Sequence, residues 1–212
     1  MYAVTGGKGG CGKTTTALGL AQALARLGAD PLVLDADVDM PDLHLLADVP
    51  PEPDASALAR GAHVECVSRP ATDSPGVSIV PAGDAESTPA ALRAVRWWHG
   101  PVLVDCPAGA GEDATLPLRY CDGAVLVTTD TPQSLSDAAK TATVATRLDA
   151  PVAGTLIRGP TADDVDPPVP DGPVECLDTA STDDVLSERR FQVATERLAR
   201  VLLEPGKSVK VR

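Results

Sequence analysis

The chain has 212 residues, 43% of them hydrophobic, enough to bury the core of one domain of ordinary size. Its net charge of −12 comes from 22 Asp and 8 Glu set against 13 Arg and 5 Lys. That balance leaves no basic stripe, and two Trp, two Tyr and one Phe make a poor stacking platform, so nucleic acid is disfavoured as a partner. An Asp-heavy, Lys-poor surface also fits a halophilic protein, in which salt screens the self-repulsion.

In chain order, Met1–Thr5 reads as a strand, and Thr14 to Leu27 as a helix with leucines at 18, 20, 24 and 27. Strands follow at Pro31–Asp35, Gly76–Pro81, Pro101–Asp105, Gly123–Thr129 and Pro151–Ile157. Thr88-Pro89 opens one helix as cap and first residue, and Thr131-Pro132 opens another running to about Leu148. Asp183 to Leu203 reads as a closing helix stopped by Pro205-Gly206. The Pro-rich stretches Pro50–Pro53 and Gly159–Pro173 are loops rather than linkers. Continuous apolarity in the strands means that both faces are covered, as in a parallel sheet. The expected fold is a single α/β domain over residues 1–212, doubly wound, its mostly parallel sheet carrying helices on both faces.

Between the first strand and helix lies Gly7-Lys8-Gly9-Gly10-Cys11-Gly12-Lys13-Thr14-Thr15. Gly7, Gly12, Lys13 and Thr14 satisfy the phosphate-loop pattern of P-loop NTPases, and chance supplies such a match in a chain this long roughly once in a hundred. Glycine lets backbone N–H groups of residues 7 to 15 curl around an anion, and the helix start adds partial positive charge. Lys13 would reach the β- and γ-phosphates, and Thr14 would ligate Mg²⁺. Two carboxylate loops follow. Leu32-Val33-Leu34 ends in Asp35-Ala36-Asp37, and Val102-Leu103-Val104 ends in Asp105-Cys106-Pro107-Ala108-Gly109. Strand ends on this edge of such a sheet face the phosphate site, so Asp35 and Asp105 are candidates to hold the metal.

Lys8, which the general pattern does not require, gives KGGCGKTT a close resemblance to the deviant phosphate loop of MinD/ParA ATPases. The resemblance is strong over residues 1 to 130 and continues through Thr128–Leu148. It implies ATP and Mg²⁺ as ligands, a homodimer when ATP is bound, and a Lys8 that crosses the dimer interface to act catalytically with Lys13. It also implies that Asp37 positions the attacking water and that the Gly109 amide meets the γ-phosphate. In this family the dimer acts as a switch that positions cellular machinery through a protein partner or activator. Two departures stand out. Asp42 replaces a frequent asparagine in a run resembling the first switch of archaeal MinD-type proteins, and Ile157 stands where an asparagine usually reads the base. The base preference is therefore inherited from the resemblance, not read from this chain.

Five cysteines (Cys11, Cys66, Cys106, Cys121 and Cys176) include no C-x-x-C, so reduced thiols and a cytoplasmic setting are expected. No signal peptide is expected ahead of the first strand, and no apolar run approaches a membrane span. The basic tail Lys207–Arg212 shows no amphipathic helical face, so the membrane-binding helix of bacterial MinD is not expected. His44, His63 and His99 are widely spaced and read as structural or surface residues, and Trp97-Trp98 as a half-buried pair. The leading alternative is an Mrp-type ATPase of iron–sulfur or metallocentre maturation. A metabolic P-loop enzyme such as an amidoligase and a pure interaction module are further alternatives.

Overall fold

In the computed structural model, residues 1–109, 111–169, 172–178 and 185–204 are described. The apolar runs become strands β1 (Tyr2–Thr5), β2 (Leu32–Asp35), β3 (Arg69–Pro70), β4 (Ser78–Val80), β5 (Val102–Asp105), β6 (Gly123–Thr129), β7 (Val152–Arg158) and β8 (Val174–Leu177). Their order in the sheet is β3-β4-β2-β5-β1-β6-β7-β8. Every pairing is parallel except β3 with β4. The edge strands β3 and β8 are not foreseen from the sequence. The first has only two residues and includes a proline, which edge strands tolerate. The second follows directly on the stretch read as a Pro-rich loop.

Helices close both faces. They are α1 (Lys13–Arg26), α2 (Leu43–Leu46), α3 (Ala55–Ala59), α4 (Val64–Val67), α5 (Thr88–Val95), α6 (Glu112–Thr115), α7 (Pro132–Arg147) and α8 (Arg189–Leu203). The four short helices α2, α3, α4 and α6 escape the sequence reading because four or five residues show no helical period. Helix α5 starts one residue earlier than expected, with Ser87 before it and Pro89 in its first turn. Helix α8 starts at Arg189 rather than Asp183, which lies outside the described residues, as do Pro205-Gly206 and the tail from Lys207.

Alternate side chains along each strand feed two cores. Val4, Val33, Leu103, Val125 and Val127 pack on one face with Leu18, Leu24 and Phe191. Ala3, Leu32, Leu34, Val102 and Val104 pack on the other with Leu58, Leu92 and Ala145. Each fully buried Leu or Val contributes roughly 1.5–3 kcal/mol. Helix α1 is seated tightly on α8, for a Cβ on Gly19 would stand 2.7 Å from Cζ of Phe191. That seating fixes the helix whose N-terminus opens at the phosphate loop.

At the other edge of the sheet, Trp98 Nε1 donates to the Asp30 carbonyl at 2.8 Å, while Trp97 is 87% exposed. The expected half-buried pair is thus one anchored and one solvent-facing indole. Among the described residues no helix is long and apolar enough to cross a membrane.

Candidate nucleotide site

Residues Gly6 to Gly12 connect β1 to α1, and the glycines are there for different reasons. Gly10 and Gly12 have φ of +73° and +93°, the left-handed region in which a side chain is strained. Gly6 and Gly7 are needed for close approach: a Cβ on Gly6 would strike the Val127 carbonyl, and one on Gly7 would meet the Asp137 backbone of α7. Gly12 begins the helix, its carbonyl accepting from the Thr16 amide at 2.9 Å and the Thr16 hydroxyl at 2.7 Å. Lys13 is buried at 6% exposure, whereas Lys8, Gly9 and Gly10 are exposed. The Cys11 thiol is buried inward and donates to the Val127 carbonyl at 3.5 Å, so only its backbone is turned to the loop's concavity. Thr14 and Thr15 stand half-buried at the helix start.

Asp35 and Asp105 are register partners across β2 and β5, with 2% and 1% exposure. Their roles differ. Asp35 accepts from the Asp37 amide at 3.0 Å and the Leu43 amide at 3.4 Å, which folds the following loop back onto the strand end. Burial first, and the Asp105 charge second, raise its pKa to about 8. Asp105 has no hydrogen-bond partner for either carboxylate oxygen among the described residues. Burial raises its pKa to about 7, against the lowering effect of the nearby Thr14 hydroxyl and Lys13 charge. A buried carboxylate with both oxygens unsatisfied, beside a hydroxyl at a helix start, suits a hard cation with oxygen ligands. Thr14 and Asp105 therefore fit Mg²⁺, and Asp35 fits a place behind them that shapes the loop.

Asp37 is half-buried in that loop and accepts from the Met40 amide at 3.2 Å. In the neighbouring loop after β5, Gly109 has φ of +103° and donates its amide to the Gly6 carbonyl at 3.4 Å. That amide is tied to the phosphate loop here. A γ-phosphate contact requires it to swing, which suits a loop that rearranges between states.

Two site residues were missed in the sequence. Asp137 on α7 bonds Lys140 at 2.9 Å and also feels the Lys8 charge, and both hold its carboxyl below the usual range. Arg158 is the residue at the end of β7 whose side chain crosses to the loop, its Cζ 3.1 Å from where a Gly12 Cβ would be. Ile157, the position singled out from the resemblance, is fully buried within β7 and shows no polar group to the site. The terminal position of the strand, rather than the resemblance, was the signal for Arg158.

Residues 2–200 match the model of the CobQ/CobB/MinD/ParA nucleotide binding domain. The chain belongs to this family. A relative described as an uncharacterised ATP-binding protein of Methanocaldococcus jannaschii is 31% identical over 166 residues, covering 73% of this chain and 62% of that protein. The antiactivator FleN of Pseudomonas aeruginosa is 32% identical, covering 65% of this chain and 53% of FleN. An iron–sulfur cluster carrier protein of Salmonella typhimurium is 33% identical, covering 74% and 45%. The chain thus spans roughly half of the length of these relatives. Among solved structures, the cell division ATPase MinD of Pyrococcus furiosus superposes with a TM-score of 0.79 at 25% identity over 95% of this chain and 97% of that one. MinD of Pyrococcus horikoshii, complexed with Mg-ADP, gives 0.78 at 24% identity over 96% and 95%, a likeness of fold. The doubly wound P-loop fold expected from the sequence is the one found.

Proposed function

We propose that the chain is an ATP-dependent switch that binds ATP with Mg²⁺, pairs with a second copy while ATP is bound, and reopens after slow hydrolysis. The observation that carries this reading is the unsatisfied, buried Asp105 carboxylate beside a phosphate loop with Lys13 at its helix start. Lys13 and the amides of residues 9 to 15 hold the β- and γ-phosphates. Mg²⁺, held by Thr14 and Asp105, when bound draws charge off the phosphate oxygens. Asp37 orients the attacking water, and Lys8, exposed at the loop's outer rim, supplies a second cation to the nucleotide of the other copy. The paired surface then recruits a protein partner that uses the switch to position cellular machinery. This division of labour is supported by the family membership and by the loop geometry.

The test is ATP turnover with Mg²⁺, together with mass by light scattering in ATP, ADP and no nucleotide. ATP-specific doubling of mass with slow turnover is the expected result. A monomer in every state overturns it.

The second reading, a carrier of iron–sulfur clusters, is favoured by the similarity to carrier proteins. Cys106 and Cys121 do not support it, being 0% and 6% exposed, with burial lifting both thiols well above their ordinary range, Cys121 to about 12. Iron in the protein as purified, with a visible absorbance band, is the outcome that selects this reading.

A further inference from the structure

We propose that the free edge of β8, walled by α8, is a docking groove for an extended, acidic segment of a partner protein, which adds to the sheet as a further strand. None of the residues involved belongs to the phosphate loop or to the two carboxylate loops, so the groove stands apart from the nucleotide reading.

The sheet ends in β3 on one side and in β8 on the other. β3 is a poor template for pairing, with two residues of which one is Pro70. β8 has four residues and no proline. Its inner side is paired with β7: the Pro173 carbonyl accepts from the Thr155 amide at 2.9 Å, and the Leu177 carbonyl from the Gly159 amide at 2.8 Å. Main-chain groups alternate in direction along a strand, so those of Val174 and Cys176 point outward. Among the described residues no hydrogen bond uses the main chain of either. An unpaired edge of this kind is where an extended segment adds by main-chain hydrogen bonds.

That edge opens into a groove of about 460 Å³. One wall is a single face of α8, carrying Arg189, Arg190, Val193, Ala194 and Arg197 at helical spacing. The opposite wall holds Asp163, set beside the Cys176 thiol. The two walls differ in charge. Arg197 is already engaged by Glu175 at 3.2 Å. Arg189 and Arg190 are exposed and have no ion pair among the described residues. They also stand in the first turn of α8, where the positive end of the helix disfavours a cation that no anion answers. Val193, 41% exposed, adds an apolar contact on the same wall.

An incoming strand alternates its side chains between these walls. Carboxylates suit the α8 side, and uncharged polar side chains suit the side of Asp163. The occupant is therefore an extended segment with an acidic residue at every second position. A second copy fits less well, because its own β8 offers one acid, Glu175, which Arg197 already holds.

The experiment uses the full chain and a capped, fluorescent peptide of alternating Glu and Thr, with binding read by anisotropy at fixed ionic strength. Wild type should bind it about tenfold tighter than the matching Lys–Thr peptide, as two or three exposed charge pairs would give. Arg189→Glu combined with Arg190→Glu should abolish or invert that preference. The milder pair, Arg189→Gln with Arg190→Gln, serves if the reversal disturbs α8. N-methylation of one alternate set of peptide amides, the set facing β8, should weaken binding about tenfold through lost hydrogen bonds. N-methylation of the other set should leave it unchanged. Equal effects of the two sets, no preference for Glu over Lys, or no measurable binding of the acidic peptide each overturn the proposal. So does a peptide-free mass that doubles with concentration in wild type but not in the arginine variants, since the groove then belongs to a second copy.

Discussion

No Cβ fits at Gly7, because one built there would stand 2.5 Å from the carbonyl carbon of Asp137 on α7. The first half of α7 is thus stacked directly on the outer limb of the phosphate loop, and neither backbone can yield without moving the other. Gly7→Ala should cost about 1–3 kcal/mol by overpacking and weaken ATP binding at least tenfold. Gly10→Ala meets open space and only its backbone preference, so it should cost less. Chemical denaturation of both variants beside wild type checks the ranking, and equal costs would show that α7 does not press on the loop.

The same contact brings Asp137 into the field of Lys8. Lys8 thus acts on a carboxylate of its own chain, which it would have to leave in the proposed closed dimer. Lys8→Ala should keep nucleotide affinity, held by Lys13 and the loop amides, but lose ATP-driven pairing and most turnover. A cation supplied in trans is worth about 10³–10⁵ in rate in other phosphate-transfer systems. Asp137→Ala removes the competing carboxylate and should raise the dimer fraction at limiting ATP. Normal turnover by Lys8→Ala, measured by phosphate release, would remove the lysine from the mechanism.

Asp37 sits in the loop that Asp35 folds, and among the described residues its carboxylate accepts from the Met40 amide. Asp37→Ala should leave ATP affinity within about threefold of wild type, slow hydrolysis by a hundredfold or so, in the range lost with a general base, and accumulate dimer. Single-turnover hydrolysis and light scattering together separate this from a folding defect.

The raised pKa values of Asp35 and Asp105, about 8 and about 7, fix the sign of a pH effect in the metal-free chain. The folded state keeps these protons at pH values where the unfolded chain, with carboxyls near their ordinary 3.8, has released them. Stability therefore falls as pH rises from about 4 to 8, by an amount on the order of several kcal/mol. Asp105→Asn should flatten that slope and raise the melting temperature at pH 8, while Mg²⁺-dependent ATP binding declines. Thermal melts in chelator across this range check it; a wild-type melting point that climbs with pH would show that the pair is not desolvated as the structure has it.

At net charge −12, self-repulsion should also make the fold depend on salt. In molar KCl the screening length is about 3 Å and the repulsion largely vanishes. Circular dichroism melts from dilute to molar KCl should show a rising melting temperature. A flat series would divorce the Asp excess from stability.

What was legible in the sequence was what a continuous apolar run or a residue-specific backbone demand can encode. Tyr2–Thr5, Gly123–Thr129 and the Thr131 cap of α7, whose hydroxyl accepts from the Ser134 amide at 3.3 Å, lie within a residue or so of where they were expected. Gly12 and Lys13 sit at the helix start as their pattern required. Contacts between elements distant in the chain were not legible. The side chain of Arg158 reaches Gly12 from 146 positions away, and no local period announces that. Nor did Asp35 reveal that its carboxylate would be spent on two backbone amides, since Asp35 and Asp105 look alike as strand-ending acids.

The indole anchored at Asp30 and its exposed neighbour precede β5, while Asp35 and Asp105 lie at the far ends of their strands. Four-residue strands place about 13 Å of sheet between the two edges. Both tryptophans of the chain are therefore remote from the phosphate loop. Their emission will follow the loss of the fold and stay silent when nucleotide enters. The protein's own fluorescence is a thermometer for unfolding, and occupancy has to be read from a label carried by the ligand.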